Sequence, residues 1–387
     1  MVKACKNVAA EIWVVDNLST DGSREYFADK FTSVQFIWND ANIGFAKANN
    51  VALKMATGKY ILFLNPDTIL PEDCIEKSLA FLNTADKAGG MGIRMIDGSG
   101  KYLPESKRGF PSPLTSVFKL CGLCSLFPKS ATFAKYYLGN LPENTNNEID
   151  VLAGAYMLMP KIVLDKTGGF DESFFMYGED IDLSYRIQQA GYKNYYFAES
   201  TIIHFKGEST QKENMRYLDL FYGAMILFVK KHYNKRIAGV YGLFIRMALN
   251  VKSMLATIKS FLSNPSGDNN NHLKTEASLV VVADASYNII EGVLQSGLSK
   301  MKITGRLVPL VENNKEAIGN LSQIQSFIKE HAASEVVFCE PDLSFKQIIS
   351  VLQDLPKDIS FKFHAAGSNS IVGSNSKNSR GEFISFT

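Results

Sequence analysis

The sequence predicts an α/β fold: a mainly parallel sheet, then amphipathic helices, then a second small α/β domain. Three observations carry this expectation. Continuous apolar runs of strand length, such as Tyr60–Leu64, alternate with segments of helical period between Glu11 and Phe205. The polar stretch Asn264-Pro265-Ser266-Gly267-Asp268-Asn269-Asn270-Asn271 marks a boundary. Beyond it, apolar runs at 278–283, 307–311, 336–339 and 360–364 again alternate with helical segments. The expected division is 1–217, a first α/β domain; 218–262, amphipathic helices; 263–275, a linker; and 276–387, the small α/β domain.

Composition narrows the class. A chain of 387 residues, 46% hydrophobic and 21% charged, can bury two full cores and is neither disordered nor fibrous. Its 41 basic and 39 acidic residues leave a net charge of +2, so nothing calls for nucleic acid as a partner. The five cysteines are odd in number and scattered, and no leader peptide is read at the start, so the expectation is free thiols in the cytoplasm. Cys121 and Cys124 form a CxxC without a second pair, which is too few ligands for a zinc site.

In chain order, Met1–Ala10 reads as the tail of a helix. Glu11–Val15 reads as a strand ending in Asp16-Asn17, and Val34–Trp38 as another. Asn42-Ile43-Gly44 leads into a helix over 45–57, and Gly58 stops it. Tyr60–Leu64 ends in Asn65-Pro66-Asp67-Thr68. In sheets of this kind, ligands bind beyond the carboxyl ends of the strands, where both Asp16 and Asp67 fall. Either aspartate could equally cap its own turn.

A helix over 71–83 and a strand over 89–96 follow. Residues 108–146, rich in Pro and aromatics, fit either a binding loop or a helical hairpin. A strand is expected over 150–159, with Gly154 and Ala155 leaving room for close approach to the backbone. A short helix over 160–166 comes next, and later strands at 195–197 and 201–205 place His204 on an apolar run, as a core residue or a ligand.

The stretch GGFDESFFMYGEDIDLSYRIQQAG, from Gly168 to Gly191, sets an aromatic loop before a helix whose first turn carries Glu179, Asp180 and Asp182. Ile181, Leu183 and Ile187 form its apolar stripe, and Gly191 suits its end. Acids at a helix start also suit free N–H groups and the helix dipole, so this stretch alone does not separate capping from catalysis.

Taken together, VVDN, NxGFAxAxN, LNPDT, GA, GGFDExFFMYGEDIDLSYR and a terminal His, in this order over Glu11–Thr210, resemble the family 2 glycosyltransferases in their bacterial rhamnosyltransferase-like branch. The resemblance implies a GT-A fold, a Rossmann-like layer that binds a nucleotide-diphosphate sugar and a divalent cation, Mg2+ or Mn2+. It implies donor binding at Asp16, Asn42, Gly44, Asn65, Gly154 and Ala155, and metal binding at Asp67 and His204. It implies Asp180 as general base with Glu179 beside it. Inversion at the anomeric carbon needs a carboxylate on one face of the sugar and charge neutralisation of the departing diphosphate on the other. The family's opening strand, roughly VSVVIVTYN, is not in this chain, so the expectation is a truncated front whose two neighbouring strands each keep an unpaired edge.

Leu218–Val229 and Val240–Leu262 are apolar, but Arg246, Lys252 and Lys259 interrupt the second, which argues against a spanning helix. Leu243, Met247, Val251, Met254, Ile258 and Phe261 share one side of a helical wheel, and Lys230, Lys231, Lys235 and Arg236 lie nearby. That pattern suits a helix lying in a membrane interface or docked on the first domain. The expected protein is thus an inverting, metal-dependent transferase. It would move sugar to a lipid-linked glycan at the inner face of a membrane. A non-catalytic nucleotide-sugar-binding or scaffold protein is the alternative.

Overall fold

The computed structural model describes residues 1–27, 30–205, 215–233, 239–245, 247, 277–283, 286–288, 290–292, 302–309, 317–340, 342–366, 368, 370–373 and 382–385. The expected linker over 263–275, residues 206–214 and 234–238, and all of 248–262 lie outside these residues.

The first domain opens with a short 3-10 turn, Lys3–Cys5, in place of the expected helix tail. Strand β1 (Ile12–Asp16) pairs in parallel with β2 (Val34–Trp38), with helix α1 (Ser23–Phe27) between them. Helix α2 (Phe45–Met55) then leads to β3 (Tyr60–Leu64) and the two-residue β4 (Thr68–Ile69). Next come α3 (Cys74–Thr84), β5 (Ala88–Ile96), α4 (Pro113–Leu120), α5 (Leu123–Leu126), β6 (Asn147–Ile149) and β7 (Tyr156–Pro160). Helix α6 (Lys161–Thr167), helix α7 (Glu179–Gln189) and strand β8 (Lys193–His204) complete the domain.

The main sheet runs β3-β7-β5-β8-β4, with β6 also on β8. Its longest pairing, β5 with β8, is parallel; β7 runs antiparallel between β3 and β5, and β4 and β6 are antiparallel to β8. β1 and β2 form a separate two-stranded sheet. The pleat explains the two layers of core. Along β3, Ile61 and Phe63 face a cluster with Met157, Met159, Leu183 and Ile187, while Tyr60, Leu62 and Leu64 face one with Met91, Ile93 and Tyr156.

Two strand expectations are corrected here, and the choice left open for 108–146 falls to helices. The strand expected over 150–159 covers only Tyr156–Pro160, because residues 150–155 are drawn off as a loop against Arg108 and α7. The two strands expected around 195–205 are one, β8, whose pairing with β5 shifts register between Ile93 and Arg94. Residues 108–146 contain α4 and α5: Ser112 caps α4 with a capping box, Pro113 starts it, and the aromatics pack, Phe118 on Phe133 at 5.0 Å.

Helix α8 (Met215–His232) lies across α7: Phe228 stacks on Phe110, and Tyr222, Met225 and Val229 share a core with Phe174 and Ile181. The helical segment 239–245 adds Tyr241 and Ile245 to that core and leaves Val240, Leu243 and Phe244 exposed, with Met247 just beyond them exposed as well. Among the described residues, no helix is long and apolar enough to cross a membrane.

The second domain is a seven-stranded sheet: β9 (Ala277–Val281), β10 (Lys302–Val308), β11 (Gly319–Asn320), β12 (Glu335–Cys339), β13 (Ser360–His364), β14 (Ser370–Gly373) and β15 (Glu382–Ser385). Its order is β11-β10-β9-β12-β13-β14-β15, parallel up to β13 and antiparallel beyond. The core of this domain takes in Ile96, Ile203 and Phe205 of the first, and Phe205 meets Phe363 at 5.6 Å. Glu72 accepts the backbone N–H groups of Phe345 and Lys346, at 2.8 and 3.1 Å, and so caps the helix Phe345–Asp354 from the other domain.

Candidate functional site

The site forms where β3, β7 and α7 meet. Asn65, just past β3, donates its backbone N–H to Ala155 O at 3.0 Å. The neighbouring Gly154 donates its N–H to Asp180 Oδ2 at 3.2 Å. Residues 154–155 therefore connect the Asn65-Pro66-Asp67 turn to the first turn of α7. A Cβ on Gly154 would meet Asp180 Oδ2 at 3.5 Å, an ordinary contact, so the close approach of backbone and carboxylate does not itself require a glycine.

On one side of this connection lie Asp67 and His204. Thr68 pairs with His204 across β4 and β8, and Phe205 N donates to Asp67 O at 3.0 Å, so the backbone itself sets the two residues side by side. His204 Nε2 lies 3.2 Å from Asp67 Oδ1. Asp67 Oδ1, Asn65 Oδ1 and His204 Nδ1 are buried with no hydrogen-bond partner. Buried polar atoms left in this state cost free energy unless something satisfies them. Two oxygens and an imidazole fit a divalent cation that fills the rest of its shell with phosphate oxygens and water. Among the described residues, no group of three or more His, Cys, Asp or Glu side chains gathers at one point, so protein ligands alone would not complete such a shell.

On the other side, α7 begins at Gly178, which has φ of +84°. Tyr177 before it has φ of +66°, a costly conformation for a tyrosine, and the pair turns the chain sharply so that the first helical turn points inward. Glu179, Asp180 and Asp182 are all buried. The N-cap position is Gly178, which has no side chain to offer. Among the three acids Asp180 accepts a first-turn N–H, that of Ile181, so it serves the helix start as well as facing inward.

Each acid has a different environment. Asp180 Oδ2 takes the Arg108 guanidinium as well as Gly154 N–H, and Oδ1 takes Ile181 N–H at 2.8 Å. Glu179 Oε2 has no hydrogen-bond partner; burial, then the neighbouring Asp180 charge, push its carboxyl up to about 8. Burial alone would raise Asp182 too, but Lys231, His232 and Arg186 outweigh it and hold this carboxyl below its usual range. Lys231 Nζ and His232 Nε2 both lie 2.6 Å from Asp182 Oδ1, and Arg186 Nε lies 2.7 Å from Oδ2. Lys231 also pairs with Asp171 of the GGFDE loop, binding that loop and α7 to the end of α8.

The remaining expected donor-side residues lie around the Asn42 turn. Asn42 Oδ1 accepts Gly44 N–H at 3.1 Å, and Gly44, with φ of +85°, would place any Cβ 2.8 Å from Phe175 O. Phe45 N–H donates to Phe175 O at 2.9 Å, so the start of α2 touches the loop before α7. Asn17 bridges Gly44 O and Asn39, which ties the end of β1 to the same turn. Asp16 caps its own turn through Ser19 N–H at 3.0 Å, one of the two readings open for it. Trp13 donates to Glu11 rather than to any of these groups.

Sequence reasoning missed Arg108, Lys231 and His232. Arg108 stands in a Pro- and Phe-rich stretch without period, and Lys231-His232 end a helix where basic residues are ordinary, so neither carried a signal. Cys124 is buried and donates to Phe133 O, while Cys121 is exposed; both are free thiols.

The comparisons follow the motifs. Residues 1–166 match the model of Glycosyl transferase family 2. The N-acetylglucosaminyl-diphospho-decaprenol L-rhamnosyltransferase of Mycobacterium tuberculosis is 26% identical over 229 residues, covering 56% of this chain and 74% of that protein. Rhamnosyltransferase WbbL of Escherichia coli is 29% identical over 171 residues, 42% of this chain and 61% of WbbL. Among solved structures, the mannosyltransferase PcManGT from Pyrobaculum calidifontis, in complex with GDP-Man and Mn2+, aligns with a TM-score of 0.39 and 14% identity, over 66% of this chain and 67% of that one. The match to glycosyl transferase family 2 thus covers the segment 1–166 that carries Asp67, and the two relatives named above, to which this chain is similar, are rhamnosyltransferases.

Proposed function

We propose that this protein is an inverting glycosyltransferase of GT-A type. It would move a sugar, rhamnose or another hexose, from a nucleotide diphosphate to a lipid-linked glycan at the inner face of a membrane. The observation that carries the reading is the short backbone connection from Asn65 through Ala155 and Gly154 to Asp180. It links the Asn65-Pro66-Asp67 turn, with its two buried side-chain oxygens and the His204 imidazole beside Asp67, to a buried carboxylate at the other end of one backbone connection. That is the division of labour an inverting transfer needs.

Asn65, Asp67 and His204 hold the cation, Mg2+ or Mn2+, which when bound neutralises charge on the diphosphate. Asn42 is exposed at the turn on the donor side, which the buried Gly44 shapes from behind, and Asp16 lies at the strand end on the nucleobase side. Asp180 takes the proton of the acceptor hydroxyl. Glu179, kept neutral by burial and by Asp180, adds no second negative charge beside the base. Exposed Val240, Leu243, Phe244 and Met247 form the face that meets the membrane surface where a lipid-linked acceptor resides.

Calorimetry with a panel of nucleotide sugars, with and without Mn2+, tests the donor reading. A transfer assay with Asp180→Asn tests the base: loss of transfer with retained donor binding is expected, and equal transfer by the variant overturns the assignment. The separation of β1–β2 from the main sheet favours one other reading, a nucleotide-sugar-binding scaffold. Donor binding without transfer to any lipid-linked acceptor is its signature.

A further inference from the structure

Arg108 is 8% exposed and comes from the segment before α4, far in sequence from α7. Its backbone O accepts Val151 N–H at 2.9 Å, and its Nη2 donates to Leu152 O at 2.7 Å and to Asp180 Oδ2. It is thus bound by main chain and side chain to the same 150–155 loop that carries Gly154. The charged or titratable groups around this pair are Glu179 on α7 and Tyr136 from the 3-10 turn Lys135–Tyr137.

A buried ion pair of this kind is a poor source of stability, because taking both charges out of water costs about as much as their attraction returns. Its geometry has a clearer consequence. An ionised carboxylate has about four lone-pair sites, two on each oxygen. On Asp180, Arg108 and Gly154 N–H fill both sites of Oδ2, and Ile181 N–H fills one of Oδ1. One site on Oδ1 is left.

We propose that Arg108 is a positioning residue for sugar transfer: it pins Oδ2 of Asp180 against the 150–155 loop and so presents Oδ1 as the oxygen that receives the acceptor proton. In the step, the acceptor O–H bond breaks towards Asp180 Oδ1. The acceptor oxygen bonds to the anomeric carbon, and the bond from that carbon to the diphosphate oxygen breaks, leaving with its electron pair. Arg108 neither gives nor takes a proton. This inference rests on Asp180 being the base, as proposed above.

The test uses the full chain and compares wild type, Arg108→Lys, Arg108→Met and Asp180→Asn for donor affinity by calorimetry, melting temperature, and single-turnover release of nucleoside diphosphate from the donor that binds. Misplacing a catalytic group by about 1 Å costs on the order of 100-fold in rate. Arg108→Met is therefore expected to lose about that much while donor Kd stays within about twofold, with Arg108→Lys in between. Should Arg108→Met fail to fold, Arg108→Lys decides: a rate about tenfold lower at unchanged donor Kd supports the role. Wild-type rates in the Arg108 variants, or rate and donor affinity falling in parallel, overturn it. Asp180→Asn at the wild-type rate instead removes the base assignment. A wild-type protein that releases no nucleoside diphosphate removes the transferase reading and this role with it.

Discussion

His204 Nε2 lies 3.2 Å from Asp67 Oδ1, though 137 positions separate the two residues in the chain. The β4–β8 pairing brings the two side chains together, and Asn65 Oδ1, Asp67 Oδ1 and His204 Nδ1 are buried without a hydrogen bond. A cation would satisfy these atoms. Asp67→Ala and His204→Ala should each weaken Mn2+ binding about tenfold or more, read by calorimetry with metal alone. The melting temperature without metal should be held or raised by Asp67→Ala, since an unsatisfied buried oxygen is removed.

Glu179 gives a stability signature that can be read without any substrate. Its folded-state carboxyl titrates at about 8, above the ordinary 4.5, so the native state holds this proton more tightly than the unfolded chain. The stability it lends is fully present below pH 4.5 and is lost as pH rises through about 8. Glu179→Gln, which cannot ionise, should therefore gain on wild type from neutral pH upward. A gap of at least a few degrees in melting temperature at pH 9, narrowing towards pH 5, is the expected result of paired thermal scans.

Asp182 should behave in the opposite way. Its carboxyl is held low by Lys231, His232 and Arg186, so its contribution is present above the ordinary aspartate range and fades as pH falls through the lowered value. Asp182→Ala leaves three basic side chains around a buried gap and is expected to cost about 3–5 kcal/mol near neutral pH. Urea denaturation at pH 7 and again in acid checks both the size and the shrinking difference.

The two domains are joined by a cap as well as by a core. Glu72 accepts the N–H groups of Phe345 and Lys346, and Lys346 Nζ reaches Asp73 at 2.6 Å. Ser344 is the N-cap of this helix, and Glu72 takes two further first-turn N–H groups, so Glu72→Ala should destabilise by about 1 kcal/mol, the ordinary net worth of a hydrogen bond. Hydrogen exchange should quicken at Phe345 and Lys346 while the amides of Ala153–Ala155 keep their protection.

Much of this was legible in the sequence. Tyr60–Leu64, Val34–Trp38 and Ser360–His364 were bounded to the residue because an apolar run flanked by turn residues needs no distant partner to be recognised. The helix of Asp180 was legible from its stripe, and the order of the motifs pointed to Asp67, Asp180 and His204. Residues 150–155 were misread as strand because an apolar loop and a buried strand look alike until their hydrogen-bond partners are known.

The sequence by itself determined most of the elements and the motif order behind the family resemblance, since these rest on local periodicity and on residues in linear order. Tertiary structure alone decided which acid meets which neighbours. Glu179, Asp180 and Asp182 are equivalent on paper: three acids in one helical turn. Arg108 and Gly154 engage one, Lys231, His232 and Arg186 engage another, and the third is left with a buried oxygen that has no hydrogen-bond partner. The physical reason is that a carboxylate's charge and proton are set by burial and by what lies within a few ångströms, and those neighbours come from segments tens of residues away.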